Sequence, residues 1–141
     1  MVVDTYTQAI EKYRTQLQKA LKHLQYSFKK VNLLPTHPDQ LDEEGLETWE
    51  GYCSRFVRVV DLFLTKYMRA KVLQDDPGFS GTLRDFVNQG EKLGLVDSAD
   101  QWMVLRELRN IESHTYEDDL DRFLTRSREQ GPIVLSIEPL L

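Results

Sequence analysis

DTYTQAIEKYRTQLQKALKHLQYSFKKVNLLP, residues 4–35, is the stretch that decides the fold. Tyr6, Ile10, Tyr13, Leu17, Leu21, Leu24, Phe28 and Val31 succeed one another at steps of three and four, so they draw one apolar stripe along an α-helix. Asp4 or Thr5 supplies an N-cap. Pro35 and Pro38 end the helix, because proline lacks the N–H and clashes with the preceding turn. The spacing predicts a long helix from Asp4 to about Leu34.

The residues that follow repeat the pattern. From near Asp39 to about Leu73, the run Leu46, Trp49, Cys53, Phe56, Val57, Val60, Phe63, Leu64, Tyr67 and Met68 predicts a second long helix. Its early part carries Asp39, Asp42, Glu43, Glu44, Glu47 and Glu50, and its end Lys66, Arg69 and Lys71. That polarity complements the helix macrodipole on a solvated face; a partner-binding surface is the alternative. Asp75-Asp76-Pro77-Gly78 breaks the chain, and Gly81 to about Lys92 predicts a shorter helix with Leu83, Phe86 and Val87 inward and a weak end at Gly90 and Gly94. Ser98 and Gln101 fit a capping box at the start of a fourth helix, with Trp102, Leu105, Leu108 and Arg109 along one face. Thr115 and Asp118 repeat the capping spacing, which predicts a kink or break near His114 before a last piece to about Arg128. Gly131-Pro132 closes it. Residues 131–141, apolar and short, are expected to lie extended against the bundle or a partner chain.

With no strand pattern before that tail, no repeat and no linker, the expected architecture is all-α: an antiparallel up-and-down bundle of four to five helices in one domain, 1–141. The 141 residues suffice for a sizeable core. Eighteen Lys and Arg against 23 Asp and Glu give a net charge of −5, which argues against a generally basic nucleic-acid coat but leaves room for a local basic site. A single cysteine, Cys53, rules out an intramolecular disulfide, and three histidines give no cluster with zinc-ligand spacing. No apolar run approaches the length of a membrane span or the core of a signal peptide, so a cytoplasmic, soluble chain away from membranes is expected.

One segment carries chemistry: Leu105-Arg-Glu-Leu-Arg109-Asn110-Ile-Glu-Ser-His114-Thr-Tyr116. Arg109 lies seven residues after Trp102 and four after Leu105, which sets a guanidinium on the apolar face of its helix, a costly position unless the charge is paired. Tyr116 would follow on that face about 10 Å further along a continuing helix. His114, five residues on, is roughly 140° around, so it meets Arg109 only if the segment kinks or another chain supplies one of the two. The residues alone leave a structural reading open, with Arg109 paired to Glu112 or to an acidic residue of another helix and His114 capping carbonyls at a helix break. His23 reads as a surface residue and His37 as part of a proline turn. Cys53 and the aromatics Tyr6, Tyr13, Trp49, Phe56, Phe63 and Trp102 read as packing.

Arg109-Asn-Ile-Glu-Ser-His114-Thr-Tyr116 resembles the Arg-x4-His-x-Tyr signature of HEPN-domain proteins, in particular the HepT-like branch that pairs with minimal nucleotidyltransferases and the related nucleotidyltransferase substrate-binding group. Asn110 directly after the arginine, the acidic start of the second helix, Gly90-Glu-Lys-Leu-Gly-Leu-Val-Asp97 and Trp102 extend the similarity over roughly Asp39 to Arg128. The resemblance implies a homodimer with the Arg109/His114 motifs of two chains facing one cleft, and a metal-independent ribonuclease of a toxin–antitoxin pair. No cofactor, metal or DNA partner is implied. Arg109 and His114 become the catalytic pair, Asn110 their support, and Tyr116 the residue to which a partner nucleotidyltransferase transfers AMP. That chemistry suits the residue types: histidine exchanges protons near neutral pH, and arginine holds phosphate with a forked set of donors. A second function fits the same family, a non-catalytic nucleotide- or substrate-binding subunit of a two-component nucleotidyltransferase.

Overall fold

The computed structural model describes residues 5–108 and 117–141. Within them the chain is an all-α bundle. Helix α1 spans Thr5–Val31, and its stripe is buried at Ile10, Leu17, Leu21, Leu24 and Val31. Pro35 and Pro38 end it as expected: the chain turns at 32–34 and forms a short 3-10 turn at Pro38–Gln40, where His37 Nδ1 accepts a hydrogen bond from the Asp39 amide at 3.2 Å.

Helix α2, Glu43–Leu62, starts on the Asp42 side chain, whose Oδ1 accepts from the Gly45 amide at 2.7 Å. It continues without interruption through a π-helical turn, Phe63–Tyr67, into α3, Met68–Asp75. The Met68 amide reaches back five residues to the Phe63 carbonyl, one more than in a regular helix. The rod returns antiparallel along α1: Arg55 Nη1 donates to Ser27 Oγ at 2.7 Å, and far along it Gln74 Nε2 donates to Thr7 Oγ1 at 2.8 Å. Trp49, Tyr52, Phe56, Phe63, Leu64 and Met68 form its buried side.

Helix α4, Leu83–Lys92, is fixed at its start by a reciprocal capping box between Thr82 and Asp85. Its end is a Schellman turn rather than a fraying one. Gly94 takes a left-handed φ of 78°, with Leu95 N–H on the Gly90 carbonyl at 2.9 Å and Gly94 N–H on Glu91 at 3.0 Å. Helix α5, Ala99–Glu107, starts at Ser98, whose hydroxyl accepts from the Gln101 amide. Helix α6 spans Glu117–Glu129.

The C-terminal residues depart from the extended tail expected for 131–141. Gly131–Leu135 form a short helix, α7, and Glu138–Leu140 a 3-10 turn, with Val134 and Ile137 buried against the bundle. Pro132 lies in the first turn of α7, where its missing N–H leaves no hydrogen bond unmade. The Gly131-Pro132 pair that ends α6 thus also begins another helix.

Candidate functional site

Arg109, Asn110, His114 and Tyr116 all lie outside the described residues, as does Thr115 of the second capping signal. The structure describes the elements that flank this segment in the chain, α5 and α6. On one side α5 holds Trp102 and Leu105 in the core, and the Trp102 ring sits 4.8 Å from that of Phe63 in the π-helical turn. Leu108, also buried, is the C-cap and leaves helical geometry with ψ 43°, its amide bonded to the Leu105 carbonyl at 3.2 Å. Helix α5 thus ends at Glu107, and the kink or break expected near His114 lies outside the described residues.

On the other side, α6 is tied to the corner formed by the end of α1 and the start of α2. The Thr36 hydroxyl donates to the Asp121 carboxylate. Tyr52, fully buried, needs an acceptor for its hydroxyl and donates to the Ser127 carbonyl at 2.6 Å. Burial raises the Tyr52 phenol well above the ordinary tyrosine range, so it stays protonated and keeps donating. Arg128 Nη1 donates to the carbonyls of Val31 at 3.0 Å and Leu34 at 2.7 Å, and its guanidinium lies 5.5 Å from the Trp49 ring centroid. These carbonyls terminate α1, where a cation is favoured by the helix dipole. The C-terminal flank of the Arg109–Tyr116 segment is thus held by one charge-assisted clamp and one buried tyrosine, neither of which apolar spacing identifies.

Other residues singled out from sequence fall where packing puts them. Cys53 is buried, its thiol pushed up to about 12 chiefly by desolvation, an unreactive state. His23 is exposed on α1. Among the described residues no group of three or more His, Cys, Asp or Glu side chains could hold a metal ion, and no helix is long and apolar enough to cross a membrane.

No family model matches the chain, and no solved structure matches it. A curated relative does: "Probable ribonuclease HepT" of Haemophilus influenzae, 32% identical over 74 residues, covering 49% of this chain and 49% of the relative. The likeness supports the resemblance to HepT-like HEPN proteins. The match spans about half the length of that relative, and the all-α bundle agrees with the fold that the HEPN resemblance implies.

Proposed function

We propose that this chain is a metal-independent ribonuclease of the HepT-like kind, acting as a homodimer in which Arg109 and His114 of two chains face one cleft. The observation that carries the reading is the Arg109-x4-His114-x-Tyr116 motif joining two helices of an all-α bundle whose relative is named a probable ribonuclease. Cleavage of RNA through its own 2′-hydroxyl requires a base for that proton, an acid for the departing 5′-oxygen, and donors for the charged phosphorane. Two histidines across a two-fold axis fill both proton roles, Arg109 holds the phosphate, and Asn110 orients His114 or the substrate. The attacking hydroxyl is internal to the substrate, so the reaction does not depend on a metal-activated water. Tyr116, two residues beyond His114, is the control point: AMP transferred to it by a cognate nucleotidyltransferase antitoxin adds bulk and negative charge where RNA must enter.

The test is RNA cleavage in EDTA, with 2′,3′-cyclic phosphate ends as product. His114→Ala should lose a factor of roughly 10²–10⁴ in rate while its circular dichroism and melting temperature stay near wild type. Equal cleavage by both proteins refutes the assignment. Incubation with the partner and ATP should add whole AMP units by intact mass to wild type and none to Tyr116→Phe. Growth arrest by the chain expressed alone separates this reading from a non-catalytic substrate-binding subunit, which would cause none.

A further inference from the structure

Residues 5–31 and 54–71 contain eleven of the eighteen Lys and Arg but two of the twenty-three Asp and Glu. The net charge of −5 therefore conceals a strong segregation of sign, with the positive part on α1 and the second half of the rod that packs against it. The seam between them is an open groove of about 570 Å³ lined by Gln16, Lys19, Ala20, His23, Arg58 and Leu62. Lys19, His23 and Arg58 are exposed. Further along the seam Arg55, held by Ser27 Oγ at 2.7 Å and the His23 carbonyl at 3.2 Å, lies 5.9 Å from the Tyr26 ring centroid, and Lys30 Nζ lies 4.8 Å from it. Tyr26 is 59% exposed, a large ring left in solvent between two cations. Gln16, Lys19, His23, Tyr26 and Lys30 follow at steps of three and four, so the stripe is about 21 Å long.

The macrodipole accounts for Lys29 and Lys30 in the last turn of α1 but not for Lys19 in its middle. The one acid of α1, Glu11, is bonded to Arg14, and none of the ion pairs among the described residues involves Lys19, Lys30, Arg55 or Arg58. Asp61 is the one acid between Ser54 and Lys71.

We propose that this groove binds single-stranded RNA, with Lys19, Lys30, Arg55 and Arg58 following the phosphates and Tyr26 offering its face to an unstacked base. The proposal rests on the ribonuclease reading and gives a chain of net charge −5 a positive surface for gripping RNA. An aromatic ring set among cations matches a single strand, whose bases are splayed and stack on side chains, better than a duplex, whose bases are already stacked. A second copy docked by a two-fold axis would bring like charges together, and an acidic polypeptide would leave the Tyr26 face unused.

Fluorescence anisotropy of the full chain with a labelled 2′-O-methyl oligouridine, which lacks the attacking hydroxyl, tests this. For four phosphate contacts the slope of log K against log salt should be about −2.8, falling to about −1.4 in Lys19→Gln/Arg58→Gln, with roughly 25-fold weaker binding at 0.1 M salt. Tyr26→Ala should weaken binding about five-fold or more with the slope unchanged. Circular dichroism verifies the fold, and the exposed single change Lys19→Gln should by itself lower the slope by about 0.7. Equal binding by wild type and the double variant, with cleavage intact, overturns the groove and leaves the ribonuclease reading standing. Absence of both RNA binding and cleavage in wild type overturns both. Polyglutamate binding more tightly than RNA, with the same dependence on Lys19 and Arg58, overturns the proposal in favour of an acidic protein partner.

Discussion

Replacing Arg128 with methionine keeps an unbranched stem and removes the charge and the donors. In the folded chain Arg128 Nη1 donates to the carbonyl of Leu34 and to that of Val31, the last residue of α1, whose oxygen also accepts from the Leu34 amide. Hydrogen bonds from a charged donor contribute about 1.5–3 kcal/mol each, and a partly desolvated guanidinium over an indole roughly 0.5–2 kcal/mol. The three share one side chain and water can reach part of the site, so the sum overstates the effect; about 3 kcal/mol is the expected loss. For a chain of this size each kcal/mol shifts the melting temperature by about 3 °C, giving a drop of roughly 10 °C. Arg128→Lys, which keeps the charge but not the fork, should recover about half of it. Differential scanning calorimetry measures the shift, and hydrogen exchange should show α6 amides losing protection ahead of those of α1 and α2. A methionine variant melting within about 2 °C of wild type, with α6 exchange unchanged, would refute the view that Arg128 fastens this helix.

Gly131→Ala should destabilise by about 1–3 kcal/mol by chemical denaturation despite alanine's better helix propensity, since the new methyl would lie 2.6 Å from Phe28 Cε2 and 2.7 Å from the Tyr52 hydroxyl; a neutral or stabilising outcome would show that Phe28 yields easily. Cys53, with its thiol pushed up to about 12 by burial, should resist a disulfide reagent at pH 8 in the native protein and react once urea unfolds it; stoichiometric reaction without unfolding would contradict this. The Asp85 carboxyl is held below the usual aspartate range by hydrogen bonds from the Thr82 backbone amide and hydroxyl. Its contribution is full above the unfolded pKa of about 3.9 and is lost as pH falls through the lower folded value, so the stability gap between wild type and Asp85→Asn should close on acidification below about pH 4. A gap independent of pH would assign the cap to geometry alone.

The helices were legible because their cores repeat at three and four residues and their ends carry proline, glycine and capping side chains. Pro35 and Pro38 mark the first turn, and Ser98 caps α5 where the spacing placed it. The C-terminal helix escaped notice because five residues are too few to show a period, and because Gly131-Pro132 signals a stop and a start in the same letters. The motif from Arg109 to Tyr116 could be read as letters and spacing, but the clamp at the end of α6 could not: Arg128 and Ser127 acquire their roles from residues 75 to 97 positions away. The basic seam was visible in fragments, as a lysine-rich helix with a surface histidine. Its meaning emerges only when α2 folds back and sets Arg55 and Arg58 beside Lys19 and Tyr26.

The π-helical turn fixes the phase of the rod that crosses the bundle. A regular helix advances about 100° per residue, and the wider turn at Phe63–Tyr67 absorbs one extra residue, so deleting one residue there would let the backbone heal into an unbroken α-helix while everything beyond it keeps its facing. Met68 and Val72 would stay on the side they share with Trp49 and Phe56, with Met68 still set against Gly90. At this turn the loss of one residue is not a change of orientation, whereas the same loss in the regular part of α2 would turn Met68 and Val72 about 100° off the side they share with Trp49.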